Sequence, residues 1–203
     1  MNVGSDGRYP FIVIEGLDGV GKSTQVEGLA EAICGTVFQC PPFINDPLKP
    51  GHDLRKRMDK ASHARRREYY RMSNFIASEQ IMHLLHHGPV VVDRYWTSTA
   101  SFAAMDDHPP AWEAIGTYPE GILVPDIIFL LTVDEENRAQ RISGRGLRMT
   151  SEEKRLERKE GQRESVLDSL RVFDPIEIDT SHRTAEEVLE EILYWLKEST
   201  LFN

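Results

Sequence analysis

Apolar residues along the chain fall into short continuous runs that alternate with longer segments of helical spacing. The continuous runs predict buried strands at residues 11–15, 36–40, 89–92, 127–133 and 176–178. Apolar positions that recur every three or four residues predict helices at 23–33, about 64–87 and 185–197. Fully apolar strands that alternate with helices are typical of a parallel sheet covered on both faces. We therefore expect a single three-layer α/β domain, residues 1–203, with about five strands.

A glycine-rich turn follows the first predicted strand. Its spacing, G-x-x-x-x-G-K-S, is that of the phosphate loop in P-loop NTPase folds, and a chance glycine-rich turn is disfavoured because a strand precedes it and a helix follows. Backbone N–H groups of such a loop point at phosphate oxygens, and the helix dipole adds positive potential. Lys22 would reach the β- and γ-phosphates of a nucleoside triphosphate, and the Ser23 hydroxyl would ligate Mg²⁺. The residues predicted to bind ATP here are Gly16, Leu17, Asp18, Gly19, Val20, Gly21, Lys22, Ser23 and Thr24.

A second polar group, Asp93-Arg94-Tyr95, comes directly after the predicted strand at 89–92. Ligands of an open parallel sheet gather at the carboxyl ends of its strands, where this tripeptide must lie. There an aspartate can hold Mg²⁺, and an arginine can grip a phosphate with its rigid fork. A structural ion pair is the alternative, and the nearby phosphate loop disfavours it.

Arginines recur in a third group, near residue 141. Arg138, Arg141 and Arg145 share one helix face, and Gly144 and Gly146 offer hinges. Mobile arginines that close over a triphosphate would neutralise charge on the transferred phosphoryl group and exclude water. A charged helix face without a function is the alternative.

Composition and charge limit the function classes further. Apolar residues make up 40% and charged residues 28% of the chain, which is typical of a globular domain. No apolar run approaches 18 residues, so we expect no membrane span. The net charge of −9 argues against nucleic acid as a partner. Basic residues nevertheless crowd between Arg55 and Arg71, which suits a small anionic ligand, although a solvated helix face with paired charges is the alternative.

The three groups, in this order, resemble the thymidylate-kinase-like nucleoside monophosphate kinases over nearly the whole chain. The segments that carry the resemblance are 15–25, 93–98, 125–126, the arginine group and 179–181. Within that family the chain looks most similar to the mitochondrial UMP-CMP kinase branch. The segments that carry this closer likeness are 40–42, 73–79, 91–100 and 144–146.

The resemblance implies a role for individual residues. Asp18 would hold the 3′-hydroxyl of the acceptor nucleotide, Asp93 would organise Mg²⁺, and Arg94 would grip the acceptor phosphate. Phe102 would lie near the acceptor sugar, and Arg141 would stack on adenine. The lid would span about 141–155 and contribute Arg145 and Arg148 to catalysis. The other candidates are Asp179 and Ser181 beside the adenine, and Tyr95, Arg71 and Phe75 beside the acceptor.

Two departures from the family pattern bear on the acceptor and on catalysis. Some thymidylate kinases carry an arginine inside the phosphate loop, where this chain has Gly19, so catalytic charge should come from the lid. Thymidylate kinases also read thymine with arginines at places that residues 41–43 and Ala77 occupy here. This difference favours a cytosine or uracil acceptor, with Arg66, Arg67 or Arg71 compensating.

We therefore predict a kinase that uses ATP and Mg²⁺ to phosphorylate CMP, UMP, dCMP or dUMP. The alternatives are a dTMP kinase, a deoxynucleoside kinase and a non-catalytic module that binds nucleotide or nucleic acid. A regulatory GTP switch is disfavoured because its Asn-Lys-x-Asp motif is absent. The resemblance also implies a homodimer and a mitochondrial location. The cytoplasm is the alternative, because residues 1–10 resemble no transit peptide.

Overall fold

Five parallel strands form one sheet, in the order β2-β3-β1-β4-β5. The computed structural model describes residues 7–103, 114–144, 156 and 161–199, so the predicted lid arginines Arg145 and Arg148 lie outside the described residues. The strands are β1 (Phe11–Gly16), β2 (Thr36–Gln39), β3 (Val90–Asp93), β4 (Ile127–Thr132) and β5 (Ile176–Asp179). The described helices are α1 (Lys22–Ala32), α2 (Arg55–Met58), α3 (His63–Leu84), α4 (Trp96–Ala103), α5 (Glu135–Gly144), α6 (Gln162–Arg171) and α7 (Ala185–Glu198).

The central strand β1 is buried along its whole length and contributes side chains to two hydrophobic cores. Side chains of a strand alternate between the two faces of the sheet. Ile12 and Ile14 therefore join one core with Leu29 of α1 and Ile192 of α7. The residues between them, Phe11 and Val13, face the opposite core, which contains Ile81 of α3 and Trp96 of α4. The predicted three-layer α/β fold is confirmed.

Helix α4 lies near the site and, like the short helix α2, is not among the helices that the hydrophobic pattern predicts. All eight of its residues are buried, so the segment lacks the polar stripe that marks an amphipathic helix. Its serine and threonine residues also have low helix propensity, because their side chains compete for backbone hydrogen bonds. The helix packs between α3 and α6, and only Arg94 and Tyr95 separate it from β3.

Strand pairing brings the two motifs together. β1 pairs with β3, and Ile14 lies opposite Asp93 in the register. The phosphate loop after β1 and the tripeptide after β3 therefore leave the same edge of the sheet side by side. This edge is where ligands of open parallel sheets bind.

The opposite edge of the sheet carries an ion pair that belongs to the fold. Arg8 contacts Asp126 through two hydrogen bonds of 2.6 and 2.7 Å, and the Asp126 carboxylate also accepts one from the Phe11 backbone at 2.7 Å. Asp126 thus ties the start of β1 to the start of β4, far from the phosphate loop. Within the described residues, no helix has the length and apolar character needed to cross a membrane.

Candidate active site

The phosphate loop follows a path that only glycine allows at two of its positions. Gly16 has a φ of +141°, and a Cβ atom there would lie 2.4 Å from the backbone oxygen of Leu131. Gly19 has a φ of +96°, and a Cβ atom there would lie 3.0 Å from Cγ of Arg138 and 3.2 Å from Cγ1 of Ile142. Helix α5 thus packs on the loop at Gly19 and fills the space that an arginine there would need.

Lys22 lies inside the loop, at the first position of α1. Its Nζ donates a hydrogen bond to the Leu17 oxygen at 2.9 Å and lies 3.6 Å from Oδ1 of Asp18. Burial, together with the nearby positive charge of Arg94, lowers the pKa of Lys22 to about 8. The carboxylates around it only partly oppose this shift. A triphosphate in the loop would add negative charge beside this buried ammonium group and so favour its protonated form.

Asp18 also contacts Arg94, so one carboxylate lies between two cations. Its Oδ1 accepts a hydrogen bond from Nη2 of Arg94 at 2.7 Å. Arg94 adopts a φ of +65°, and its backbone N–H donates to Ile14 of β1 at 3.1 Å. Its guanidinium carbon lies 5.4 Å from the centre of the Phe102 ring. The structure therefore brings Asp18, Arg94 and Phe102 together, as the resemblance implies, and holds Arg94 in a backbone conformation typical of functional sites.

Ser23 and Asp93 meet at the other side of the loop. The Ser23 hydroxyl donates to Oδ2 of Asp93 at 3.2 Å. Oδ1 of Asp93 is buried and accepts no hydrogen bond from the described residues. Such an unsatisfied carboxylate oxygen beside a hydroxyl fits Mg²⁺, which commonly takes one or two protein oxygens and completes its shell with phosphate and water. In the described part of the chain, no group of three acidic, histidine or cysteine side chains forms a richer metal site.

Glu15, the residue before the loop, organises the turn that carries Arg94. Its buried carboxylate accepts hydrogen bonds from the backbone N–H groups of Tyr95 (3.0 Å) and Ser98 (3.2 Å) and from the hydroxyl of Ser98 (2.6 Å). A fourth, short hydrogen bond comes from the hydroxyl of Thr97. Glu15 thus satisfies the hydrogen-bond donors at the start of α4 and joins the phosphate loop to the turn after β3. The sequence predicts no role for Glu15; the signals that could have marked it are its place in segment 15–25, which carries the family resemblance, and an acid at the end of an apolar strand.

A cleft with about 760 Å³ of space free of protein atoms, part of it open to solvent, lies next to Arg94. The described residues that line it are Cys40, Pro41, Arg55, Asp59, Arg66, Arg67, Tyr70, Asn74, Arg94, Tyr95, Ser98, Thr99 and Phe102. Tyr95, a predicted acceptor residue, is among them, and its hydroxyl also bonds to Ser78. Arg71 and Phe75 are not among them. These two lie on a neighbouring face of α3, where Phe75 packs into the core and Arg71 stacks over it at 5.4 Å.

The basic residues between Arg55 and Arg71 lie in different environments. Arg57 pairs with the buried carboxylate of Asp46, which fixes the loop before α2. Arg67 is buried and donates to the backbone oxygen of Phe102 at 2.6 Å, so it ties α3 to α4. Arg55 and Arg66 line the cleft. The basic segment is therefore partly structural and partly a wall of the cleft.

A second cleft, with about 720 Å³ of space free of protein atoms, part of it open to solvent, lies on the other side of the phosphate loop. The described residues that line it are Gly19, Val20, Gly21, Thr24, Gln25, Arg141, Thr180, Arg183, Thr184, Ala185 and Val188. Arg141 of α5 donates to the hydroxyl and to the backbone oxygen of Thr180, at 2.9 and 2.7 Å. The guanidinium is thus fixed in the wall of the cleft, where a nucleotide base beside the loop would meet it.

The loop after β5 contributes to this cleft through its middle residue. Thr180 lines the cleft, whereas the predicted Asp179 and Ser181 do not. Instead, the Asp179 carboxylate accepts two hydrogen bonds from Ser181, at 2.9 and 2.7 Å, and so shapes the turn. Arg138, the other predicted arginine of α5, is buried and paired with Glu135 at 3.0 Å. Arg141 is therefore the arginine of α5 that reaches the cleft.

Comparisons with known proteins show the family of the chain. The sequence model of a family described as Thymidylate kinase matches residues 14–192. The human mitochondrial UMP-CMP kinase 2 is 33% identical over 202 residues, which cover 95% of this chain and 44% of the human protein. The chain thus spans less than half the length of that relative. The probable thymidylate kinase of Methanococcus aeolicus is 26% identical, over 94% of this chain and 97% of its own.

The solved structure of thymidylate kinase from Candida albicans has the same fold. It superimposes with a TM-score of 0.71 at 20% identity and covers 97% of this chain and 94% of that one. The resemblance to thymidylate-kinase-like nucleoside monophosphate kinases is therefore confirmed.

Proposed function

Because the chain belongs to the thymidylate kinase family, we propose that it transfers the γ-phosphoryl group of ATP to a pyrimidine nucleoside monophosphate: CMP, UMP, dCMP or dUMP. The observation that carries the proposal is the position of Asp18 between Lys22 of the phosphate loop and Arg94 of the neighbouring turn. Each cation suits a phosphate group: Lys22 lies in the phosphate loop, and Arg94 lines the first cleft. Two phosphorylated ligands would therefore meet between the two cations, which the Asp18 carboxylate holds close together.

Transfer between two such ligands requires positioning and charge neutralisation rather than a base. The acceptor phosphate already presents an anionic oxygen, so no proton has to be removed from it before attack. Lys22 would hold the transferred phosphoryl group, and Arg94 would align the acceptor phosphate beside it. Arg141, with Arg145 and Arg148, would add positive charge as the transition state forms. The products would be ADP and a nucleoside diphosphate.

Mg²⁺ would be held by Ser23 directly and by Asp93, whose buried Oδ1 has no hydrogen-bond donor among the described residues. When bound, the ion would neutralise negative charge on the donor phosphates. Asp93 and Ser23 are already hydrogen-bonded to each other, so the protein would spend little energy in arranging them.

The acceptor base is proposed to be a pyrimidine other than thymine. The support is that Pro41 lines the cleft and that Ala77 is buried, at the places where thymidylate kinases carry arginines. Thymidylate kinase activity is the second candidate, because the Methanococcus relative carries that name. The human relative supports a mitochondrial location and acceptors of the UMP and CMP type.

An ADP-release assay with ATP, Mg²⁺ and five separate acceptors, CMP, UMP, dCMP, dUMP and dTMP, tests this proposal. We expect turnover with cytosine or uracil nucleotides and little with dTMP. Lys22→Ala should lower kcat by about a hundredfold or more, because it removes charge stabilisation in the transition state. Near-normal turnover of Lys22→Ala would refute the mechanism, and a clear preference for dTMP would refute the acceptor class.

A further inference from the structure

A continuous series of contacts joins residues that line the cleft next to Arg94, here called the acceptor cleft. It begins at Arg94, whose Nη1 lies 3.4 Å from the hydroxyl of Ser98. Thr99, the next residue of α4, accepts a hydrogen bond from the Asn74 side chain at 2.8 Å, and Asn74 also donates to the backbone oxygen of Tyr70 at 2.8 Å. These contacts cross the cleft from α4 to α3 and lead away from Arg94.

The series ends at Asp59, which lies just beyond α2. The Tyr70 hydroxyl donates to Oδ1 of Asp59 at 2.8 Å. Oδ2 of Asp59 forms an ion pair with Nε of Arg55 at 3.7 Å, a distance too long for a hydrogen bond, so this oxygen can still accept one. Its side chain is 29% exposed, so it remains reachable from the cleft. Among the described residues that line the cleft, Asp59 is the only carboxylate.

Asp59 and Arg94 line the same cleft. A monophosphate held by its phosphate at Arg94 would place its base elsewhere in this cleft, where Asp59 is the one carboxylate among the described lining residues. An ionised carboxylate only accepts hydrogen bonds, and it has about four acceptor positions, of which Tyr70 uses one. It can therefore accept a hydrogen bond from an exocyclic amino group of a base, and it repels an exocyclic oxygen at the same position.

We propose that Asp59 selects acceptor nucleotides whose base carries a 4-amino group, so that cytosine nucleotides are preferred over uracil and thymine nucleotides. The inference rests on the proposed function and names the base that the same site selects. Cytosine donates two hydrogens from its amino group, whereas uracil and thymine present the O4 oxygen at that position. The tyrosine hydroxyl would hold the carboxylate in place while it reads the amino group.

The size of the preference for CMP over UMP follows from the hydrogen bonds that each base can make with Asp59. A hydrogen bond to a charged partner contributes more than a neutral one, and an oxygen that faces a carboxylate leaves both groups unpaired. Partial exposure weakens this discrimination because water screens the carboxylate. We therefore expect kcat/KM for CMP to exceed that for UMP by about tenfold or more.

The test compares kcat/KM for CMP and UMP in the wild-type protein and in Asp59→Asn. The amide of asparagine offers both donors and an acceptor, so the variant should lose most of the discrimination, with the CMP to UMP ratio falling about tenfold toward unity. Asp53→Asn is the matched control. Asp53 is a carboxylate of the same segment that accepts a hydrogen bond from the Arg55 backbone and does not line the cleft, so its ratio should stay at the wild-type value.

A modified substrate gives an independent reading that needs no variant. The monophosphate of the pyrimidin-2-one riboside keeps N3 and O2 of cytosine but lacks the 4-amino group. Wild-type kcat/KM should be lower for this analogue than for CMP but higher than for UMP, because a hydrogen at C4 leaves the carboxylate without a partner but does not repel it. In Asp59→Asn the difference between CMP and the analogue should shrink, because the asparagine amide makes only a neutral hydrogen bond to the amino group.

The failures can be told apart. If the wild-type protein phosphorylates none of the pyrimidine monophosphates, the proposed function is wrong. If it phosphorylates them but prefers UMP or dTMP, or if Asp59→Asn is folded and keeps the wild-type ratio, the proposed function stands and the role of Asp59 is refuted.

Discussion

The buried carboxylate of Glu15 offers the sharpest test of how the two halves of the site are joined. It accepts four hydrogen bonds from Tyr95, Thr97 and Ser98, in the turn and first residues of α4 that follow Arg94. Replacing it with alanine leaves these donors without their partner in the protein interior. Each buried unsatisfied donor costs about 1–3 kcal/mol, although relaxation and water reduce the sum. We therefore expect Glu15→Ala to lose about 3–5 kcal/mol of the free energy of unfolding.

Glu15→Gln separates the charge from the hydrogen bonds. The amide oxygen can still accept from Tyr95, Thr97 and Ser98, and the amide nitrogen can donate to the Ser98 hydroxyl. What is lost is the negative charge at the start of α4 and the extra strength of charge-assisted bonds, about 1–2 kcal/mol. Because the loosened turn carries Arg94, the acceptor KM should rise and kcat should fall, while the KM for ATP changes little.

Chemical denaturation and initial-rate kinetics on both variants check this prediction. Glu27→Gln, an exposed carboxylate on α1, is the matched control and should leave both stability and kinetics unchanged. A Glu15→Ala variant as stable as the wild type would show that Glu15 does not hold the turn after β3. Equal changes in the KM values for both substrates in Glu15→Gln would show that it does not act through Arg94.

Three further outcomes are expected. Gly19→Arg should lower kcat at least about tenfold and reduce the melting temperature, because the new side chain collides with Arg138 and Ile142 of α5; higher activity would show that the loop can accept an arginine. ATP binding should take up a proton above pH 8, since Lys22 has a pKa of about 8 without nucleotide and a bound triphosphate raises it. Affinity for ATP should therefore fall as the pH rises from 8 to 10, and calorimetry in buffers of different ionisation enthalpy should detect no such uptake at pH 6 or in Lys22→Met. Asp126→Asn should lower the free energy of unfolding by about 1–3 kcal/mol because it weakens the pairing with Arg8 and with the backbone of β1, and kcat/KM should not change.

Local motifs and one rule of sheet topology are enough to predict the centre of the site. The phosphate loop is defined by consecutive residues, and Arg94 follows a fully apolar strand. The ligand rule for parallel sheets then places both at the same edge. The pairing of Ile14 with Asp93 realises that arrangement.

The remaining features depend on contacts that sequence spacing does not reveal. The hydrogen bonds of Glu15 reach residues about 80 positions away, so no local pattern marks them. Helical spacing also cannot tell which face of α3 turns toward α4. Packing orients that helix so that Tyr70 and Asn74 face the cleft, while Arg71 and Phe75 face elsewhere. The same limit applies to the loop after β5, where Thr180 rather than its neighbours lines the second cleft.

A donor triphosphate at Lys22 and an acceptor monophosphate at Arg94 are proposed to meet beside Asp18. Incubation with ATP labelled at its γ-phosphorus, Mg²⁺ and CMP or UMP, followed by separation of the nucleotides, tests this proposal. We expect a pyrimidine nucleoside diphosphate that carries the label on its β-phosphate, and a much lower yield with Arg94→Ala. Label that appears only as inorganic phosphate, or that reaches no monophosphate although the protein binds ATP, would contradict it.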